Sequence, residues 1–306
     1  MKTSHKNLGA VVAAHILWGV LPLYWKTLAH IPAGELVAHR AVWSALFLAL
    51  VMASHGHVRE SWSRFCQAGG AGKALPSALL IATNWLLYIW AIEQHRLVEA
   101  SLGYFICPLL TVALGAAFLG ERLSWRHGVA LTLISLGVGL KIILAGTVPW
   151  LGLGCALTFA VYALVRKQTK MPPVEGVFWE MLLLAPFGLL GLLVLAGTGA
   201  PVALPLTLGQ LLHLASIGLV TVAPMMLFTK GVAGLSLRLA GVAQYVSPSI
   251  KLLVATYFLG EPFEHDALVS YLFIWSGIAF YFSADIIAQR LARLRIVGTT
   301  PALGIK

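Results

Sequence analysis

Ten apolar runs follow one another through this sequence, each near the roughly 20 residues that cross a hydrocarbon core about 30 Å thick. They lie near Leu8–Leu28, Gly34–Ser54, Ala74–Ile92, Val98–Leu119, Trp125–Leu144, Pro149–Val165, Val174–Leu195, Gly209–Thr229, Leu239–Leu259 and Ala267–Ile287. In lipid a helix satisfies its backbone polar groups within one segment, so the expected fold is an all-α membrane protein of ten transmembrane helices. Composition agrees: only 10% of residues are charged, against roughly 25% in soluble domains. The first run follows Lys2 and Lys6 as a signal peptide would, but it is longer than a signal core of about 7–15 residues and is expected to be retained.

The net charge of +10 is unevenly placed. With the N-terminus in the cytoplasm, that side carries Lys2, Lys6, Arg59, Arg64, Lys73, Arg122, Arg126, Arg166, Lys167, Lys170, Arg238, Arg290, Arg293, Arg295 and Lys306, and the opposite loops only Arg96. Such asymmetry orients membrane proteins positive side inward, so both termini are expected in the cytoplasm of a bacterial inner-membrane protein. The excess charge then serves orientation and membrane lipids, and no nucleic-acid partner is expected. Cys66, Cys107 and Cys155 lack metal-ligand spacing and are expected as free thiols, with no metal and no cofactor.

A repeat runs through the chain. "PLLTVALGAAFLGE" begins at Pro108 and "PSIKLLVATYFLGE" at Pro248. The same offset of 140 carries Pro32 and Glu35 onto Pro172 and Glu175, Tyr88 onto Phe228, Ile134 onto Ile274, and Gly137 onto Gly277. At 141, Trp18 and Lys26 fall on Phe159 and Lys167. Several blocks in one register indicate duplication. Five spans per copy force the second copy upside down, giving a 5+5 inverted-topology repeat: residues 8–144, residues 149–287 and a cytoplasmic tail, 288–306. Secondary transporters with that symmetry hold substrate near the midplane, where the copies meet.

Polar residues inside the spans mark the expected site. Pro108 and Pro248 fall near mid-membrane and free the carbonyls of Tyr104 and Gln244. Tyr104, Cys107, Pro108 and Thr111 share one helical face, as do Gln244, Ser247, Pro248 and Lys251, with Tyr245 beside them. Both stripes either wall a central cavity or serve packing of kinked helices. A mid-span lysine costs about 2.5–3.5 kcal/mol on insertion scales, which favours a cavity-facing Lys251 over one that snorkels. His15 and Trp18 lie on one face of the first span, where the histidine binds substrate, shuttles protons or simply packs. Asn84 and Tyr88, one turn apart, reach one ligand or a neighbouring helix. Arg40 and Glu180 are equivalent positions, expected about 9 Å below the outer surface and about 9 Å above the inner one from a 1.5 Å rise per residue. They are candidates for gating or coupling, or shallow charges reaching headgroups.

Glu121 and Glu261, each after a glycine, are expected to fix loops rather than touch substrate. Trp25, Trp43, Trp62, Trp125 and Trp150 are expected in an interfacial belt. The segment "HGHVRESWSRFCQAGG" is a short surface helix or a plain loop.

"HILWGVLPLYWK", "AHRAVWSALFL", "NWLLYIWAI", "EASLGYFICPLLTVALGAAFLGERL" and "AQYVSPSIKLLVATYFLGEPF" resemble the drug/metabolite transporter superfamily, EamA type, and within it the RarD permeases. The resemblance runs from about Leu8 to Arg290. It implies a ten-helix inner-membrane carrier with both termini inside. RarD proteins are commonly described as chloramphenicol-sensitivity proteins, and relatives of this fold export amino acids and other small metabolites. Lys251 departs from the uncharged residue expected there.

The expected function is a permease that moves a small metabolite, an amino acid or drug-like compound among the candidates, by alternating access. Glu180, His15 and Lys251 are the candidates for proton coupling, and the protein is a monomer or homodimer. No Walker-type loop and no His-Glu-x-x-His pattern is present, so no catalytic residue is assigned. An intramembrane enzyme acting on a lipid-linked substrate, or a channel or sensor, are the rival readings.

Overall fold

The computed structural model describes residues 2–54, 56, 58–94, 97–146, 148–169, 171–198, 207–258 and 268–298, without the side chains of 2–4, 92–93, 97–102, 255 and 284–298. Every regular element among them is a helix: α1 (Lys2–Lys26), α2 (Ala33–Ser54), α3 (Val58–Gln67), α4 (Gly70–Glu93), α5 (Leu97–Leu119), α6 (Trp125–Ala145), α7 (Trp150–Gln168), α8 (Pro173–Gly197), α9 (Leu208–Gly234), α10 (Leu237–Ala243), α11 (Val246–Phe258) and α12 (Leu268–Gly298). Seven are long and apolar enough to cross a membrane, namely α1, α2, α4, α6, α7, α8 and α9; Gly103–Leu119 and Leu268–Ser283 are shorter apolar pieces of α5 and α12. Leu50, Ile143, Phe187 and Leu193 are exposed, a surface suited to lipid rather than water.

The ninth apolar run is two helices, not one kinked helix. Pro248 has no N–H to give the Gln244 carbonyl. That carbonyl instead accepts from Ser247 N–H at 3.1 Å, and Tyr245 N–H donates to Val242 at 3.3 Å. These tighter i→i+3 bonds separate α10 from α11. Pro108 leaves α5 continuous. At the other end of the chain α12 continues to Gly298, so the first part of the expected tail is helical. Glu261, Arg96, Lys170 and Lys306 lie outside the described residues.

Contacts divide the chain into two compact units. One comprises Met1–Glu121 with Val148–Phe263; the other, Arg122–Thr147 with Glu264–Lys306.

Within the first unit the packing is reciprocal. Helix α1 packs on α9 as α7 packs on α4, and α2 meets α9 as α8 meets α4. A Cβ built on Gly231 of α9 would lie 2.4 Å from Val11 of α1. Ala91 of α4 and Leu151 of α7, each 140 positions from one of that pair, likewise pack together. Residues related by the offset also meet each other: the Trp18 and Phe159 rings are 5.4 Å apart, and the Tyr245 hydroxyl donates to the Phe105 carbonyl at 3.0 Å. Glu121 bridges distant segments too, its two carboxylate oxygens accepting from the N–H groups of Leu237 and Arg238 at 2.7 and 2.8 Å. Gly120, at φ 64°, makes the left-handed turn that aims it there. The carboxylate thus caps α10 and also meets its dipole.

Helix α3 is the short helix anticipated for its segment. Arg64 donates to both oxygens of Glu175 on α8, at 2.9 and 2.8 Å. Those hydrogen bonds hold the guanidinium more basic than a free arginine. Phe65 stacks on Trp179 at 4.5 Å.

The second unit is α6 crossing α12. A Cβ on Gly137 would lie 2.8 Å from Ile274, and one on Gly277 would lie 2.6 Å from Ile134. Each glycine thus sits against the repeat-equivalent of the other's neighbour, and their small size permits the close crossing. Lys141, buried in α6, donates to the Tyr271 hydroxyl at 2.8 Å.

Candidate functional site

One cavity in the first unit gathers residues from α1, α2, α4, α5, α7, α11 and the turn between α10 and α11. It holds about 850 Å³ of empty space, counting its mouth. His15, Trp18, Asn84, Tyr88, Tyr104, Gln244 and Lys251 all line it, as the helical stripes led one to expect. Each stripe works because residues at i, i+3, i+4 and i+7 share a face.

The stripes differ in how much they offer a ligand. The Asn84 amide donates to the Cys155 carbonyl at 2.8 Å and to the Thr158 hydroxyl at 3.1 Å. Gln244 donates to Thr111 at 3.2 Å and accepts from the Cys107 thiol at 3.3 Å, so its amide is held by the first copy. Thr111 therefore supports the wall without lining it. His15 is buried, with Nε2 unpartnered, and packs edge-on against Trp18 at 5.0 Å. The Lys251 ammonium lies 3.3 Å from the Tyr104 ring centroid and 5.5 Å from that of Tyr88.

One expectation is corrected and two are extended. Tyr245 does not line the cavity; its hydroxyl is bound to Phe105 and its side chain is buried. Arg40, a candidate for gating or coupling expected about 9 Å below the outer surface from a 1.5 Å rise per residue, also lines the cavity; its guanidinium lies 4.1 Å from the Trp85 ring and 5.0 Å from that of Trp25. Trp25, expected in the interfacial belt, also lines the cavity. Its register was readable, because it extends the face of Trp18 and Pro22 by another turn. Trp85 and Phe159 were also passed over, although Trp85 shares the face of Asn84 and Tyr88.

Glu180 is elsewhere. Fully buried, it accepts from Ser77 at 2.6 Å and Tyr162 at 3.2 Å and pairs with Arg166 at 3.3 Å. Arg166 and Lys167, expected as loop charges, are used internally. Lys167 donates to the carbonyls of Val232 and Ala233 at 3.1 and 3.3 Å, and to that of Leu235, closing the end of α9. The three cysteines are free thiols, Cys66 exposed and the others buried. No metal-binding cluster occurs among the described residues.

Apolar helices around an aromatic-walled cavity with polar groups facing inward define a membrane transport protein. The EamA-like transporter family matches the sequence twice, over residues 6–143 and 147–283. An uncharacterized transporter of Vibrio cholerae is 36% identical over 285 residues, 92% of each chain. Protein RarD of Escherichia coli is 35% identical over 295 residues, covering 94% of this chain and 98% of its own. An uncharacterized transporter of Bacillus subtilis is 33% identical over 298 residues, 96% of this chain and 99% of its own. The chain belongs to the EamA-like transporter family, and within it to the RarD type. A crystal structure with 18% identity superposes with a TM-score of 0.65 over 90% of this chain and 96% of its own, a likeness of fold alone.

Proposed function

We propose that the protein is a secondary carrier of the bacterial inner membrane that moves a small polar or amphipathic metabolite by alternating access. It has ten spans in a 5+5 inverted repeat, with α10 and α11 forming one discontinuous span and both termini in the cytoplasm. The observation that carries the reading is the cavity itself, lined by α1, α2, α4 and α5 of the first copy and by α7, the α10–α11 turn and α11 of the second. The reciprocal packing and the twofold family match support the repeat.

The gates follow from the same symmetry. Leu21, Trp25 and Arg40 line the cavity; their equivalents, at offsets of 141, 141 and 140, are Tyr162, Arg166 and Glu180, which bind one another. One end is thus held open by an arginine over tryptophans while the other is closed by a buried ion pair. Rocking the copies would exchange the two states. Proton coupling through Glu180, His15 or Lys251 and a monomeric or dimeric state belong to this reading. An intramembrane enzyme or a channel is not favoured by any feature of the cavity.

Counterflow in proteoliposomes tests it. Vesicles loaded with unlabelled substrate should accumulate labelled substrate transiently above equilibrium, which a channel or an enzyme cannot produce. Simple equilibration, with no overshoot for any substrate that binds, would remove the carrier reading.

A further inference from the structure

Among the described residues two cations line the cavity and no carboxylate does. Among the described residues neither Arg40 nor Lys251 has a hydrogen bond or an ion pair, and Arg40 Nε is buried without a partner. Among the described residues their charges lie over aromatic rings: Trp25 and Trp85 for Arg40, Tyr88 and Tyr104 for Lys251. A ring face returns only part of what a charge loses on leaving water. A buried charged pair in this unit shows the contrast, since Glu180 and Arg166 neutralise each other. The repeat makes the excess sharper, because Lys251 corresponds to Thr111, an uncharged residue bound to Gln244. A duplicated scaffold therefore does not require the lysine. Tyr88 and Tyr104 also line the cavity, and among the described residues neither hydroxyl has a hydrogen bond; the rest of the wall mixes Trp18, Trp25, Trp85 and Phe159 with aliphatic, amide and small residues.

We infer that the cargo is an organic anion: an oxyanion neutralised by Arg40 and Lys251, on an aromatic or apolar body that packs against Trp18, Trp85 and Phe159. This rests on the carrier reading and narrows its substrate class. A guanidinium favours planar, two-pronged recognition of a carboxylate or phosphate, and the ammonium supplies a second point charge.

The test uses the full chain in lipid nanodiscs and four probes of similar size: phenylacetate, phenyl phosphate, phenylacetamide and phenethylamine. Binding is read by calorimetry and by quenching of the cavity tryptophans. At least one acid should bind tenfold or more tighter than the amide, and the amine weakest. Phenylacetate ahead of phenyl phosphate assigns a carboxylate, and the reverse order a phosphate ester; either upholds the anion site. Arg40→Gln and Lys251→Gln should each reduce the acid-over-amide preference about tenfold, or about 1.4 kcal/mol, with little change for the amide. Binding of the amide or amine as tight as either acid, or no binding of either acid, overturns the inference whether or not the variants fold. Counterflow separates this from the carrier reading: acid bound without exchange retains the anion site and removes the carrier, whereas exchange of the amine retains the carrier and removes the anion.

Discussion

Glu180 shows how much a single side chain depends on its partner. It is fully buried, and Ser77, Tyr162 and Arg166 all point at its carboxylate. Glu180→Gln would leave the Arg166 charge buried without compensation, which typically costs about 3–5 kcal/mol. The variant should lose most of its thermal stability in detergent. A double replacement, Glu180→Leu with Arg166→Met, should recover much of the loss, because it removes both charges. Equal damage from the double variant would mean that the pair is not what holds this end together. The sequence flagged Glu180, Arg40, Asn84 and Lys251 correctly as polar residues in apolar runs, because such residues are costly in lipid. It did not show that Arg40 would line the cavity, because counting from a helix end gives depth but not which neighbours surround a side chain. Arg166 and Lys167 were misread for the same reason, lying at the edge of a span where loop and core are indistinguishable by pattern. Lys141 drew no attention, and its bond to Tyr271 is a contact that only folding reveals.

At the scale of elements, the repeated Phe-Leu-Gly-Glu has a specific task in the first copy. It ends α5 with a left-handed glycine and sends the next carboxylate to the first turn of α10 in the other copy. Hydrogen bonds to a charged acceptor contribute about 1.5–3 kcal/mol each when lost leaves their partner exposed to nothing else. Glu121→Ala should therefore destabilise the protein by about 2 kcal/mol or more, read as a lower melting temperature in detergent, and Glu121→Gln by less, since it keeps one acceptor. A melting temperature unchanged in the alanine variant would show that α10 needs no cap. That the glutamate closes a loop was legible from its glycine neighbour. Which helix it serves was not, because hydrophobic periodicity carries no information about partners more than 100 residues away. The break between α10 and α11 was half legible: the proline position announced it, but whether the freed carbonyl finds an i→i+3 donor depends on the local turn. Pro108, in the corresponding place, keeps its helix intact.

For the whole molecule, the duplication was the most legible feature, because an offset that aligns Gly137 with Gly277 in sequence also sets each against the other's neighbouring isoleucine in space. The proposed inversion has a consequence that can be read on intact cells. The α1–α2 connection and the α7–α8 connection are equivalent in the repeat, so an upside-down second copy puts them on opposite faces of the membrane. In the proposed topology, charge asymmetry sends the first outward and the second inward, together with α3. Native Cys66 on α3 is exposed, whereas Cys107 and Cys155 are buried. A maleimide on a polymer too bulky for the cavity should leave the wild-type protein unlabelled on spheroplasts and label it once the membrane is permeabilised. Ala29→Cys, at an exposed position between α1 and α2, should add labelling on intact spheroplasts. Gln168→Cys, exposed at the end of α7, should be protected until permeabilisation when Cys66 is first replaced by serine. If positions 29 and 168 reacted under the same conditions, the two copies would share one orientation. The pseudo-twofold exchange of open and closed ends would then lose its basis, because equivalent gates would face the same side.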